Sequence, residues 1–123
     1  MSQTFTLRAY RRVKTRCVVE YSINGQNGTG IVHDVSFTGY RVVGDQYVAQ
    51  GDRLSLRIYL SPTSIPVEIE STQVQWVKGR EFGLRAITLS HSAEAAITSF
   101  ILETAELERS IQQELGLGAA RKY

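Results

Sequence analysis

The sequence predicts a mainly β domain, a six-stranded antiparallel β-barrel with a C-terminal α-helix and a flexible basic N-terminal arm. Three observations carry that expectation. Apolar and polar residues alternate along short segments up to Leu89, the two-residue period of half-buried strands. Turn signals such as Asn24-Gly25 and Lys78-Gly79-Arg80 separate these segments, with no long helical pattern between them. After Leu89 the apolar spacing lengthens to a helical repeat. A chain of 123 residues fits one domain with a single core: an arm over 1–16, a domain over 17–118 with its barrel at 17–89 and helix at 92–115, and a tail at 119–123.

The first strand is read from Cys17, Val19, Tyr21 and Ile23, which share one face, with Arg16, Glu20 and Ser22 on the other. Asn24-Gly25 and Asn27-Gly28 supply backbone freedom for a hairpin loop, after which a second strand runs from about Thr29 to His33. The stretch HDVSFTGYRV turns the chain into a third strand near Tyr40 to Val43. In the fourth, Arg53 to Leu60, the residues Leu54, Leu56, Ile58 and Leu60 face one way. The fifth, Val67 to Val77, changes phase between Ile69 and Val74, which predicts a β-bulge around Ser71 to Gln73. Glu81 to Ile87 forms the sixth. Ser90 or Ser92 can cap the helix, Glu94 suits its first turn, and Ile97, Phe100, Ile101, Leu107, Ile111 and Leu115 form a stripe ending at Gly116. The first half of that stripe is expected to cover the barrel.

Composition excludes several function classes. No apolar run approaches the roughly 20 residues of a membrane span, and MSQTFTLRAYRRVK lacks the features of a signal peptide, so a cytoplasmic protein is expected. Cys17 has no partner for a disulfide, and His33 and His91 are too far apart to suggest a metal site, so neither a metal nor a cofactor is expected. There is no nucleophile elbow and no phosphate-binding glycine loop. Adjacent residues on a strand face opposite ways, which sets His33 against a catalytic pairing with Asp34. The sequence is not read as an enzyme.

Binding is the stronger reading. The net charge is only +2, yet Arg8, Arg11, Arg12, Lys14 and Arg16 all precede the first acid, Glu20. Guanine presents two acceptors on its Hoogsteen edge, which match an arginine fork, and two N–H donors on its Watson–Crick edge, which match a carboxylate. Arg12 and Arg16, with Arg11 beside them, supply the first; Asp34 supplies the second. Ser36, on the face of Asp34, can add a polar contact, while Gly39 can take positive φ and keep a side chain out of the ligand's way.

RRVKTR followed by DVSFTG, with a later VQWVKGREFGLRA, resembles the PilZ domain, the bacterial receptor for cyclic di-GMP. The resemblance spans nearly the whole chain. It implies that Arg12 and Arg16 clamp guanine edges and phosphates, that Asp34, Ser36 and Gly39 hold a guanine against the barrel, and that Arg11 favours a stacked pair of ligand molecules. It also implies that Trp76 corresponds to an aromatic position that stacks on nucleotide in some members; a core-filling tryptophan on the face of Val74 is the equal alternative. Two departures stand out. Tyr40 follows the motif glycine where small residues are common, and Ala86 replaces a usual phenylalanine after Gly83.

The expected mechanism is an arm that orders over the barrel when cyclic di-GMP binds, at a cost of roughly 1–2 kcal/mol per residue fixed, and so creates a surface for an effector protein in motility, biofilm, chemotaxis or exopolysaccharide control. A ligand-independent interaction domain using Leu107 to Leu115 is the alternative, and a nucleic-acid binder using the arm is a weaker one.

Overall fold

The computed structural model of the chain describes residues 12–61 and 65–120, with side chains through 114 except at 108. Six strands precede one helix: β1 (Arg12–Ile23), β2 (Gln26–Ser36), β3 (Gly39–Gly44), β4 (Arg53–Tyr59), β5 (Val67–Lys78), β6 (Glu81–Thr88) and α1 (His91–Ala120). The strands close into an antiparallel barrel in the order β1-β2-β3-β6-β5-β4, with β4 pairing back onto β1. Closure leaves no open sheet edge, so every strand has a neighbour on both sides.

Alternation fills the lumen. Val19, Tyr21, Val32, Val35, Val42, Leu54, Ile58, Ile69, Val74 and Phe82 point inward and are almost wholly buried. Each such side chain contributes roughly 1.5–3 kcal/mol by leaving water. The Tyr21 ring meets Phe82 edge to face at 5.5 Å. Its hydroxyl donates to the Gln46 carbonyl at 2.7 Å and accepts from the Gln46 amide at 2.9 Å, which lets a polar tip lie at the barrel's end. Burial pushes the Cys17 thiol above its ordinary value, so it behaves as a core residue.

Several boundaries differ from those expected. The expected arm ends too late: β1 starts at Arg12, because Val13 is buried opposite Val35, and Arg12 and Arg16 are both strand residues. A register shift between Lys14 and Cys17 interrupts the alternation there and hides the strand in the sequence. The arm through Arg11 lies outside the described residues, as does part of the tail. The β1–β2 turn needs only Asn24 and Gly25, at φ 50° and 80°, the two positive values of a tight hairpin. Asn27-Gly28 is therefore strand, and Gly28 is the residue against which the Tyr21 ring packs. The expected bulge in β5 is present: Leu54 pairs with Thr72 but Leu56 with Ile69.

Ser90 is the helix cap. Its hydroxyl accepts from the Ala93 amide at 3.1 Å. Ala93, Ile97, Ile101 and Ala105 recur every four residues and bury the helix face against the barrel. The helix then continues past Gly116 to Ala120. Its 30 residues span about 45 Å, and beyond Ala105 the apolar side chains of Leu107 and Ile111 are exposed at 61% and 50%. Among the described side chains of the stripe, only Ile97 and Ile101 belong to the core, with Phe100 packed against it.

Ile101→Ala is expected to lower stability by about 2–5 kcal/mol in urea unfolding. Leu107→Ala should change it by no more than about 0.5 kcal/mol.

Candidate functional site

Two single-residue insertions decide what the outer wall presents. In β2, Val32 pairs with Val42 while Asp34 pairs with Arg41, so His33 is an extra residue against β3. The phase changes there, Val32 and Val35 both face the lumen, and Asp34 is turned outward. In β5, Val74 pairs with Leu84 and Trp76 with Gly83, so Gln75 is extra. Val74 is 1% exposed, whereas Trp76 is 42% exposed. The core-filling alternative for Trp76 therefore fails, because the bulge moves it off the face of Val74.

These shifts align one transverse row across five strands. Lys14 pairs with Asp34, Asp34 with Arg41, Arg41 with Gly83, and Gly83 with Trp76. An adjacent row sets Arg12 opposite Ser36 and Gly39 opposite Arg85. Arg12, Asp34, Ser36, Gly39 and Trp76 thereby border one shallow cavity of about 220 Å³, together with Arg41 and Gly83. Five of the seven sequence-selected residues meet there. Arg16 is exposed on β1 and does not border the cavity, and Arg11 lies outside the described residues.

Ser36 and Gly39 also have work within the fold. The Ser36 hydroxyl donates to the Gly39 carbonyl at 3.0 Å and accepts from the Thr38 and Gly39 amides at 3.3 and 3.0 Å. A serine hydroxyl has one donor and two acceptor positions, so its capacity is spent on shaping the β2–β3 turn. Gly39 has no positive φ. It is glycine because a Cβ would stand 2.4 Å from the Leu84 carbonyl oxygen on β6. Gly83 serves a similar end: a Cβ there would stand 2.1 Å from Trp76 Nε1, so the indole lies against bare backbone.

Arg41 was not among the residues selected from sequence. Its Nε donates to Asp34 Oδ2 at 2.5 Å and its Nη1 donates to Glu81 Oε2, linking β2, β3 and β6. Those hydrogen bonds, Asp34 first, hold the guanidinium above its already high ordinary pKa. Its signal was a lone cation two residues after Gly39, which becomes meaningful only once Asp34 is known to face it. Tyr40 does not crowd the site. It is 4% exposed with its ring in the core, and its hydroxyl finds no hydrogen-bond partner among the described residues.

A larger cavity, about 670 Å³, lies across β1, β4 and β5 and includes Glu20, Arg57 and Glu68. Among the described residues its one cation, Arg57, lies 3.8 Å from Glu20 and 3.3 Å from Glu68, and the cavity contains none of the motif residues. Size alone does not select it. Among the described residues no cluster of His, Cys, Asp and Glu could hold a metal ion, and no helix is long and apolar enough to cross a membrane.

A packed lumen with a polar and aromatic row on its outer wall defines a class of small closed barrels whose candidate site is external. The family model for the PilZ domain matches residues 6–103, and the chain belongs to that family. Solved structures agree on the fold. The Bacillus subtilis inhibitor of motility, MotI/DgrA, superposes with a TM-score of 0.70 at 17% identity over 83% of this chain; the match covers 53% of MotI, so the chain spans about half that protein. The PilZ domain of CeSA from a cellulose-synthesizing bacterium gives 0.60 at 12% identity, covering 75% of this chain and 95% of that one. The PilZ domain of YcgR from Escherichia coli, solved with cyclic di-GMP, gives 0.58 at 11% identity, covering 85% and 94%. A search of curated proteins finds no match.

Trp76 is the sole tryptophan, so its emission reports on the site directly. Gly83→Ala should push the indole off the wall, shift its emission to the red and cost about 1–3 kcal/mol of stability. Burial raises the Tyr40 pKa, so its unfolded form ionises first and stability from this residue is lost as pH rises past about 10. Tyr40→Phe should stabilise the fold by about 1 kcal/mol at pH 7 and weaken the alkaline decline, measured by thermal unfolding across pH.

Proposed function

We propose that this protein is a cyclic di-GMP receptor that binds the nucleotide on the outer barrel wall and signals to an effector protein, with no catalytic step of its own. The observation that carries this reading is the convergence of Arg12, Asp34 and Trp76 on one cavity from β1, β2 and β5. Each supplies a different part of guanine recognition. The Asp34 carboxylate suits the two N–H donors of the Watson–Crick edge, and Arg12 suits the Hoogsteen acceptors or a phosphate. Trp76, half exposed beside them, offers a face for base stacking, an interaction of about 1–3 kcal/mol per base. Family membership supports the same ligand, as does the YcgR PilZ domain, a fold relative solved with cyclic di-GMP.

Arg16 and Arg11 extend the cationic run along the chain from Arg12. On this reading they meet phosphates beyond the cavity, and Arg11 allows a second, stacked nucleotide. Ser36 and Gly39 act indirectly: they set the turn that carries Asp34 toward the wall. The effector belongs to the processes expected from the sequence, among which motility fits a fold relative that is an inhibitor of motility.

Isothermal titration with cyclic di-GMP should give saturable binding and report its stoichiometry, while Trp76 emission changes in parallel. Asp34→Ala and Arg12→Ala should each abolish or severely weaken binding, and Trp76→Ala should weaken it about tenfold or more. Undiminished affinity in Asp34→Ala and Arg12→Ala together would refute the assignment.

A further inference from the structure

We propose that Arg41 is a positioning residue for guanine recognition, which holds the Asp34 carboxylate in the orientation that reads both N–H donors of the base. This rests on the reading of the site as a cyclic di-GMP receptor. Arg41 sits directly across from Asp34 in the β2–β3 pairing and donates Nε to Oδ2 at 2.5 Å. Its neighbour on β6 is Gly83, where the Trp76 indole takes up the space a side chain would fill, while Glu81 lies two residues away on the same face. The guanidinium therefore reaches along β6 to Glu81, where Nη1 makes the second ion pair. A planar fork held at both ends has little rotational freedom left, and its Nε contact fixes one Asp34 oxygen in turn.

The contact leaves the reading function intact. An ionised carboxylate has about four lone-pair positions, and Arg41 occupies one on Oδ2. Oδ1 receives no hydrogen bond from the described residues, and Asp34 borders the cavity with 13% of its side chain exposed. Both oxygens thus retain acceptor positions for a base. Without Arg41, Asp34 would rotate more freely, and no cation would stand between it and Glu81. With Arg41 and Glu81 about one third exposed, this network contributes little to overall stability, since ion pairs in contact with water are typically weak. The expected effect is on recognition.

Lysine tests positioning against charge, because it keeps the cation but has a single nitrogen that cannot bridge two carboxylates in a fixed plane. Titrations of the full chain would compare cyclic di-GMP with cyclic di-IMP, whose hypoxanthine bases lack the exocyclic amino donor. The unaltered protein should prefer cyclic di-GMP. Arg41→Gln and Arg41→Lys should each lower cyclic di-GMP affinity about tenfold, leave cyclic di-IMP affinity nearly unchanged, and so collapse the preference. Arg41→Lys, which keeps a cation beside Asp34, should melt close to the unaltered protein, and it keeps the comparison available if Arg41→Gln, which removes that cation, does not fold. Full affinity in Arg41→Lys, an equal loss for both ligands, or tighter binding in either variant would overturn the proposal. An unaltered protein that binds cyclic di-GMP without preferring it would also overturn it. No binding of cyclic di-GMP by the unaltered protein would instead refute the receptor assignment itself.

Discussion

The structure depends on a conflict between filling a lumen and furnishing a wall. A small closed barrel must turn an unbroken set of apolar side chains inward, and the two-residue period of a strand then dictates every outward position. With uninterrupted alternation, Asp34 would share the face of Val32, and Trp76 that of Val74, both inside the core. A buried carboxylate without a partner would be severely destabilising. One extra residue at His33 and another at Gln75 remove the conflict locally while the strands on either side keep their inward sets. The insertions are thus a condition of having both a packed barrel and this site.

The site is held by backbone geometry first and charge second. Gly39 and Gly83 permit close approach, one of β3 to β6 and the other of the indole to the sheet. Ser36 spends its hydroxyl on the turn, so the residues after Asp34 have a defined course before any ligand is considered. On that frame Arg41 ties the carboxylate of β2 to that of β6. The network orients groups with little contribution to overall stability, which the lumen and the first half of α1 supply instead. Stability and recognition therefore draw on different faces of the same strands.

The PilZ resemblance was legible because its motif residues lie close together in the chain: Arg12 to Arg16 and Asp34 to Gly39 are each a few residues long. Their roles were less legible. Ser36 and Gly39 border the candidate cavity, and hydrogen bonding and a 2.4 Å approach to Leu84 also give them work within the fold, which their spacing did not reveal. Tyr40, a departure from the family pattern after the motif glycine, is core, since β3 alternates without interruption from Tyr40 to Val42. Arg16, paired with Arg12 by spacing, stands outside the cavity that Arg12 borders. The start of β1 was missed because its register shift falls among charged residues.

What the sequence determined by itself was the β-barrel, its turns, its C-terminal helix and the two motifs, because periodicity, turn chemistry and short spacings are properties of neighbouring residues. What only the tertiary structure decided was the outward placement of Asp34 and Trp76, the joining of Arg41 to Asp34 and Glu81, and the exposure of Leu107 and Ile111 on α1. Those depend on strand register and on which turns of the helix meet the barrel. Both arise from pairing between segments distant in the chain, where one inserted residue reverses a face without changing the local pattern enough to announce it.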